Sequence, residues 1–116
     1  NTAPEIAVRR LLFSLGYRYR LHTTDLPGKP DIVLRSLHCV MFVNGCFWHG
    51  HRCKRGTTPS SNVEFWLSKI EGNRKRDRRV RKQLRRNGWR VLTIWECETR
   101  RVERLTEKLR NFIEAT

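Results

Sequence analysis

Acidic residues are scarce in this chain: 11 Asp and Glu stand against 25 Lys and Arg in 116 residues, a formal net charge of +14. A polypeptide so one-signed repels itself and attracts polyanions, so nucleic acid is the expected partner. Long apolar runs are also missing. No stretch approaches the roughly 18 residues of a membrane span, and nothing has the form of a secretory signal, so the sequence reads as intracellular. There is no internal repeat and no low-complexity linker, and the length allows one core, which leaves a single domain over 1–116. The first residue is Asn1, as expected if an upstream segment has been removed. Cysteine is limited to Cys39, Cys46, Cys53 and Cys97, and in a reducing compartment four cysteines favour metal binding or burial over cross-links.

Apolar residues make up 38% of the chain, enough for a globular fold. Thr2-Ala3-Pro4-Glu5 has the form of a helix start, and Val8, Leu11, Leu12 and Leu15 continue it at helical spacing until Gly16. Tyr17 to Leu21 alternates like a short strand. Leu26-Pro27-Gly28-Lys29-Pro30 is a turn, followed by strands over Asp31–Leu34 and Cys39–Val43 that form a hairpin. Ser61-Asn62-Val63-Glu64 fits a capping box opening a helix that runs to Arg86 and closes at Asn87-Gly88. Trp89–Trp95 is a strand, and Val102, Leu105, Leu109, Phe112 and Ile113 mark a last helix. Helix, three strands, helix, strand, helix predicts a mixed α/β sandwich with helices on the sheet faces.

The most informative segment is Gly45-Cys46-Phe47-Trp48-His49-Gly50-His51-Arg52-Cys53. Thiolates and imidazoles at this spacing suit zinc, with Cys46, His51 and Cys53 as three ligands from one loop. His49, Cys39 and Cys97 compete for the fourth position. Cys39 sits in an apolar strand and Cys97 just past a strand end, which favours Cys97 and leaves His49 free for chemistry. With four protein ligands the zinc is structural.

The long helix carries two further signals. Trp66, Ile70, Asp77 and Leu84 form one narrow stripe with Asn73 and Val80 beside it. An acid in an apolar stripe needs partners, so Asp77 is expected to be partly buried and paired with an arginine or a backbone donor in a structural role. Nine of the thirteen residues from Arg74 to Arg86 are Lys or Arg, too many of one sign for neighbouring pairs to neutralise. Phosphate contact accounts for them best, with Arg74, Lys75 and Arg78, together with Lys29, as named DNA contacts.

Leu26-Pro27-Gly28-Lys29-Pro30-Asp31, the Gly45–His49 loop with His51 and Cys53, Phe65-Trp66-Leu67, Gly88-Trp89-Arg90-Val91 and Trp95-Glu96-Cys97 together resemble the very-short-patch repair (Vsr) endonucleases through almost the whole chain. The resemblance implies the restriction-endonuclease-like fold of the PD-(D/E)xK superfamily, a mixed central sheet flanked by helices. It implies Mg²⁺-dependent nicking of one strand 5′ to the thymine of a T·G mismatch in double-stranded DNA, the lesion left by deaminated 5-methylcytosine. It also implies a monomer of the bacterial cytoplasm, associated with the nucleoid, with mismatch-repair proteins as partners. Carried over by position, Asp31 is the catalytic Mg²⁺ ligand and the Val43 backbone carbonyl a second. His49 is the active-site histidine, Glu5 a supporting glutamate, and Cys46, His51, Cys53 and Cys97 the structural Zn²⁺ ligands. Phe47 and Trp48 match aromatics that wedge into DNA beside the mismatch.

Two departures stand out. Val43-Asn44 replaces a Thr-His pair, and Asn44 can hydrogen-bond a water but cannot take its proton. The family's basic N-terminal arm is missing from the start of the chain. The rival readings are a zinc-stabilised DNA-binding module without catalysis and a restriction or defence nuclease of the same fold.

Overall fold

The computed structural model describes residues 2–21, 23–47, 49, 51 and 61–115. Helix α1 (Ala3–Ser14) opens as the sequence predicts: the Thr2 hydroxyl accepts the Glu5 N–H at 3.4 Å, and Pro4 lies in the first turn. It closes at Gly16, whose φ of +86° suits a residue without Cβ. There the Tyr17 N–H donates to the Leu12 carbonyl at 3.0 Å. That bond takes Tyr17 out of reach of the sheet, so the expected strand over Tyr17–Leu21 contracts to β1 (Arg20–Leu21), while Tyr17 and Tyr19 pack on the core edge.

Strands β2 (Ile32–Leu34) and β3 (Cys39–Asn44) form the predicted antiparallel hairpin, with Ile32 opposite Met41 and a 3-10 turn over Arg35–Leu37. Strand β4 (Arg90–Trp95) lies parallel to β3, from Cys39 opposite Arg90 to Asn44 opposite Trp95. The sheet order is β1-β2-β3-β4. A parallel neighbour requires a crossover, and helix α2 (Val63–Arg86) supplies it. Leu84 of α2 packs with Val33, Val40 and Val91 on one sheet face. On the other, Val8 and Leu12 of α1 join Leu105, Leu109 and Ile113 of helix α3 (Val102–Glu114) against Ile32, Leu34, Met41 and Ile94. This is the expected α/β class. No helix among the described residues is long and apolar enough to cross a membrane.

Two local features differ from expectation. The capping box at Ser61 does not form; Asn62 itself precedes the helix at φ 54°, a left-handed conformation that asparagine tolerates, and makes no side-chain cap bond. A 3-10 turn over Glu96–Arg100 follows β4. Glu98 holds this turn: it accepts the Trp95 N–H at 2.9 Å, and Lys108 of α3 reaches both its oxygens at 2.7 and 2.8 Å. Because β3 and β4 are parallel and end side by side at Asn44 and Trp95, the segments that follow them emerge together. Cys46 and Cys97 are therefore neighbours although 51 positions apart in the sequence. Asp31, just before an antiparallel β2, lies at the same end of the sheet.

Candidate active site

At that end a cavity of about 530 Å³ is lined by Gly28, Lys29, Asp31, Phe42, Val43, Asn44, His49, Arg76, Asp77, Val80 and Arg81. Four of the sequence-predicted residues, Asp31, Val43, Asn44 and His49, thus meet in one place, with Lys29 on the rim. A larger cavity, about 800 Å³, lies away from this end of the sheet among Phe13, Tyr17, Arg18, Tyr19, Arg20 and Arg35; its described lining holds no His, Cys, Asp or Glu. Size does not decide between the two. Of the two, only the one at the Asp31 end brings carboxylates and an imidazole together.

Asp31 is aimed by the backbone. Its Oδ2 accepts the Val43 N–H at 2.8 Å, across the gap beside β3 that precedes the start of β2. In an extended strand a residue's N–H and C=O leave toward the same side, so the Val43 carbonyl faces the same gap as the carboxylate. Asn44, the last residue of β3, is 8% exposed.

His49 is held by a partner the sequence reading did not supply. Its Nδ1 lies 2.5 Å from Asp77 Oδ2, and both side chains are 19% exposed. Asp77 is partly buried and paired, as its position in an apolar stripe requires, but the partner is the loop histidine and not an arginine or a backbone group. With Nδ1 donating to a carboxylate, the lone pair of the imidazole rests on Nε2, the nitrogen left for other partners. Trp95 stiffens this corner, meeting the His49 ring edge-on at 6.3 Å and stacking on His51 at 4.3 Å between centroids.

A Cys/His group that could hold a metal ion sits beside it. One donor atom each from Cys46, His51 and Cys97 lies within 4.8 Å of the others, and the Cys97 Sγ to His51 Nδ1 separation is 3.6 Å. Zinc bonds of about 2.1–2.3 Å in a tetrahedron place neighbouring donors about 3.4–3.8 Å apart, so the spacing fits such an ion. Cys53, the expected fourth ligand, and Trp48 lie outside the described residues. Cys39 is not a competitor. It is fully buried at the opposite end of β3, it donates to the Leu37 carbonyl at 3.4 Å, and burial pushes its thiol up despite the opposing Arg90 charge.

The remaining expected residues fall elsewhere. Glu5 is 3% exposed at the start of α1, with Arg9 3.7 Å away, and does not line the cavity. Phe47 packs at 5.3 Å from Trp66 on α2, beside the half-exposed Phe65. Lys75 pairs with Glu71 at 3.5 Å and lines neither this cavity nor its neighbour. Sequence reasoning passed over Arg76 and Arg81, which line the cavity; the available signal was helical spacing, since Arg81 is one turn from Asp77.

Comparison with known proteins decides the family. The profile described as DNA mismatch endonuclease Vsr matches residues 1–55. The type II nicking enzyme V.XorIIP of Xanthomonas oryzae pv. oryzae is 53% identical over 114 residues, covering 98% of this chain and 84% of that protein. The DNA mismatch endonuclease Vsr of Escherichia coli is 44% identical over 108 residues, covering 93% of this chain and 69% of that protein. The chain belongs to the Vsr family. Among solved structures, the catalytic domain of the homing endonuclease I-Bth0305I superposes with a TM-score of 0.66 at 22% identity, over 97% of this chain and 94% of that one, a likeness of fold.

Within this cavity, Gly28 sets the spacing between the Asp31 wall and the α2 wall. It has φ +73°, and a Cβ there would overlap Val80 Cγ1 and come within 3.1 Å of Cγ2. The turn that carries Asp31 therefore rests on α2 one turn from Asp77. Gly28→Ala is expected to cost about 2–4 kcal/mol, part from left-handed backbone and part from overpacking, and to slow the enzyme. Adding Val80→Ala should restore part of both. A double variant as unstable as the two single losses summed, in urea unfolding, would show that the contact does not set this spacing.

Proposed function

We propose that this Vsr-family protein nicks one strand of duplex DNA 5′ to the thymine of a T·G mismatch, with Mg²⁺ at the catalytic cavity and Zn²⁺ in the Cys/His group. Membership of the family makes the chain a DNA endonuclease, and its relatives are named as mismatch and nicking enzymes. The observation that carries the reading is the convergence of Asp31, the Val43 backbone and the His49–Asp77 pair on one cavity with Lys29, Arg76 and Arg81 at its wall.

Asp31 and the Val43 carbonyl are hard oxygen donors, which suit Mg²⁺, a cation that keeps several waters and needs few protein ligands. When bound, the ion supplies positive charge that eases both water ionisation and departure of the leaving oxygen. His49 Nε2 takes the proton from the attacking water as its oxygen bonds to phosphorus. Asp77 stabilises the imidazolium that results, and the leaving oxygen takes a proton from solvent. Asn44 can orient the water by hydrogen bonding but holds no proton for exchange, so proton handling falls on His49 alone. Lys29, Arg76 and Arg81 offset the charge of the scissile phosphate.

Cys46, His51 and Cys97, with Cys53, would hold Zn²⁺ and fix the loop that carries His49 and Phe47. The soft donor set without a carboxylate favours that ion. Phe47 and Trp66, at the exposed start of α2, present aromatic surface for a wedge beside the mismatch, and Trp48 is proposed to join them. Residues 1–116 are read as one endonuclease unit acting as a monomer in the bacterial cytoplasm, with Glu5 supporting α1 beneath the site and mismatch-repair proteins as partners.

The test is a nicking assay with Mg²⁺ on a T·G duplex, its matched counterpart and a branched substrate. The intact chain should nick the T·G strand at least about 10²-fold faster than Asp31→Ala; equal rates would remove Asp31 from the mechanism, and preference for the branched substrate would favour a defence nuclease. For the second metal, bound zinc measured after dialysis should be lost in Cys97→Ser and retained in Cys39→Ser. The reverse pattern would overturn the ligand assignment.

A further inference from the structure

The His49–Asp77 pair is a wall between two cavities. Behind it, away from Asp31, a second cavity of about 450 Å³ is lined by His49, His51, Arg74, Asp77, Arg78, Arg81 and Trp95. Arg81 faces both. We propose that this second cavity is a subsite for the DNA backbone phosphate next to the one that is cut, held by Arg74, Arg78 and Arg81. The proposal rests on the DNA-nicking reading above and adds to it where the neighbouring charge sits and which residues bind it.

The argument begins with charge that has nowhere else to go. Arg74, Arg78 and Arg81 recur every three to four residues, so they share one face of α2 and span roughly 10 Å of its axis at about 1.5 Å per residue. None of the three forms an ion pair or hydrogen bond among the described residues. Two basic neighbours on the helix do have partners: Lys75 pairs with Glu71, and Arg76 donates to Asn73 Oδ1 at 3.0 Å. The one acid in the described cavity lining, Asp77, is engaged by His49. Three guanidiniums against the single carboxylate of Asp77 leave this concave surface positive, and guanidinium geometry matches phosphate oxygens.

Continuity with the catalytic cavity says which anion. Each strand of a duplex carries a phosphate for about every 3.4 Å of axis. A strand laid with its scissile phosphate against Asp31 and His49 must place the next phosphate one nucleotide along, and the wall the cavities share leaves room for it on the other side. Arg81, facing both, links grip on the neighbour to charge at the scissile group. Arg74 and Arg78 reach only the second cavity, so they act on affinity, and Arg81 acts on affinity and rate.

The test separates this subsite from the reaction. Binding of a short matched duplex to the full chain is measured by fluorescence anisotropy without Mg²⁺ across a salt series. Relative to the unaltered chain, the log Kd–log salt slope should fall by about 2 for Arg74→Gln/Arg78→Gln and by about 1 for Arg81→Gln. Arg110→Gln, an exposed charge on α3 across the sheet, is the control and should leave it unchanged. Lysine at 74 and 78 should restore the slope, which excludes misfolding as the cause. In nicking assays Arg81→Gln should lower kcat about tenfold, whereas the Arg74/Arg78 pair should raise KM. A pair variant whose slope matches the Arg110 control would overturn the subsite. If the slopes change as stated but no duplex is nicked, the subsite stands and the reaction assignment falls.

Discussion

The contact between His49 and Asp77 is the constraint on which the site depends. It joins a loop following β3 to the middle of a helix 28 positions later, and it does so at 2.5 Å in a partly dry environment. Without it, His49 would be a surface imidazole on a loop, free to choose rotamer and tautomer. With it, one ring nitrogen is committed and the other is aimed. The parallel pairing of β3 and β4 makes the contact possible, because it brings the loop and the start of the Cys97 turn out at one edge while α2 crosses above them.

Rigidity enters from four directions. Gly28 lets the Asp31 turn seat directly on Val80, so that α2 carries one wall of the cavity and supports the other. Cys46, His51 and Cys97 bring the loop, its far end and the C-terminal strand within 4.8 Å of one another. Trp95 fills the space between, stacked on His51 and edge-on to His49. Glu98 and Lys108 then lock the Cys97 turn to α3. Each device acts on backbone position and not on chemistry, as a small domain with short strands requires if it is to hold catalytic groups to within a fraction of an ångström.

Much of this could be read from the sequence. Helical spacing and glycine stops gave α1, α2 and α3, and the Cys/His loop gave the metal group, with Cys97 preferred to Cys39 because of their places relative to strand ends. The shortfalls have physical causes. Tyr17 looked like a strand residue because its neighbours alternate, yet its N–H closes α1. Asn62 replaced Ser61 at the start of α2 because asparagine tolerates a left-handed backbone that periodicity does not register. Asp77 was recognised as an acid that must be paired, but its partner is a long-range contact, and no local pattern encodes which side chain a distant loop delivers. Arg76 and Arg81 were lost in a run of nine basic residues, where composition says that charge is present but not which charges line a cavity.

The central claim is that Asp77 acts through His49. A double-mutant cycle on single-turnover nicking of a T·G duplex measures this most directly. Asp77→Asn and His49→Ala should each slow the reaction by about 10²–10⁴-fold, and the double variant should be no slower than His49→Ala alone. Losses that multiply in the double variant, or an Asp77→Asn enzyme as fast as the unaltered chain, would contradict the account.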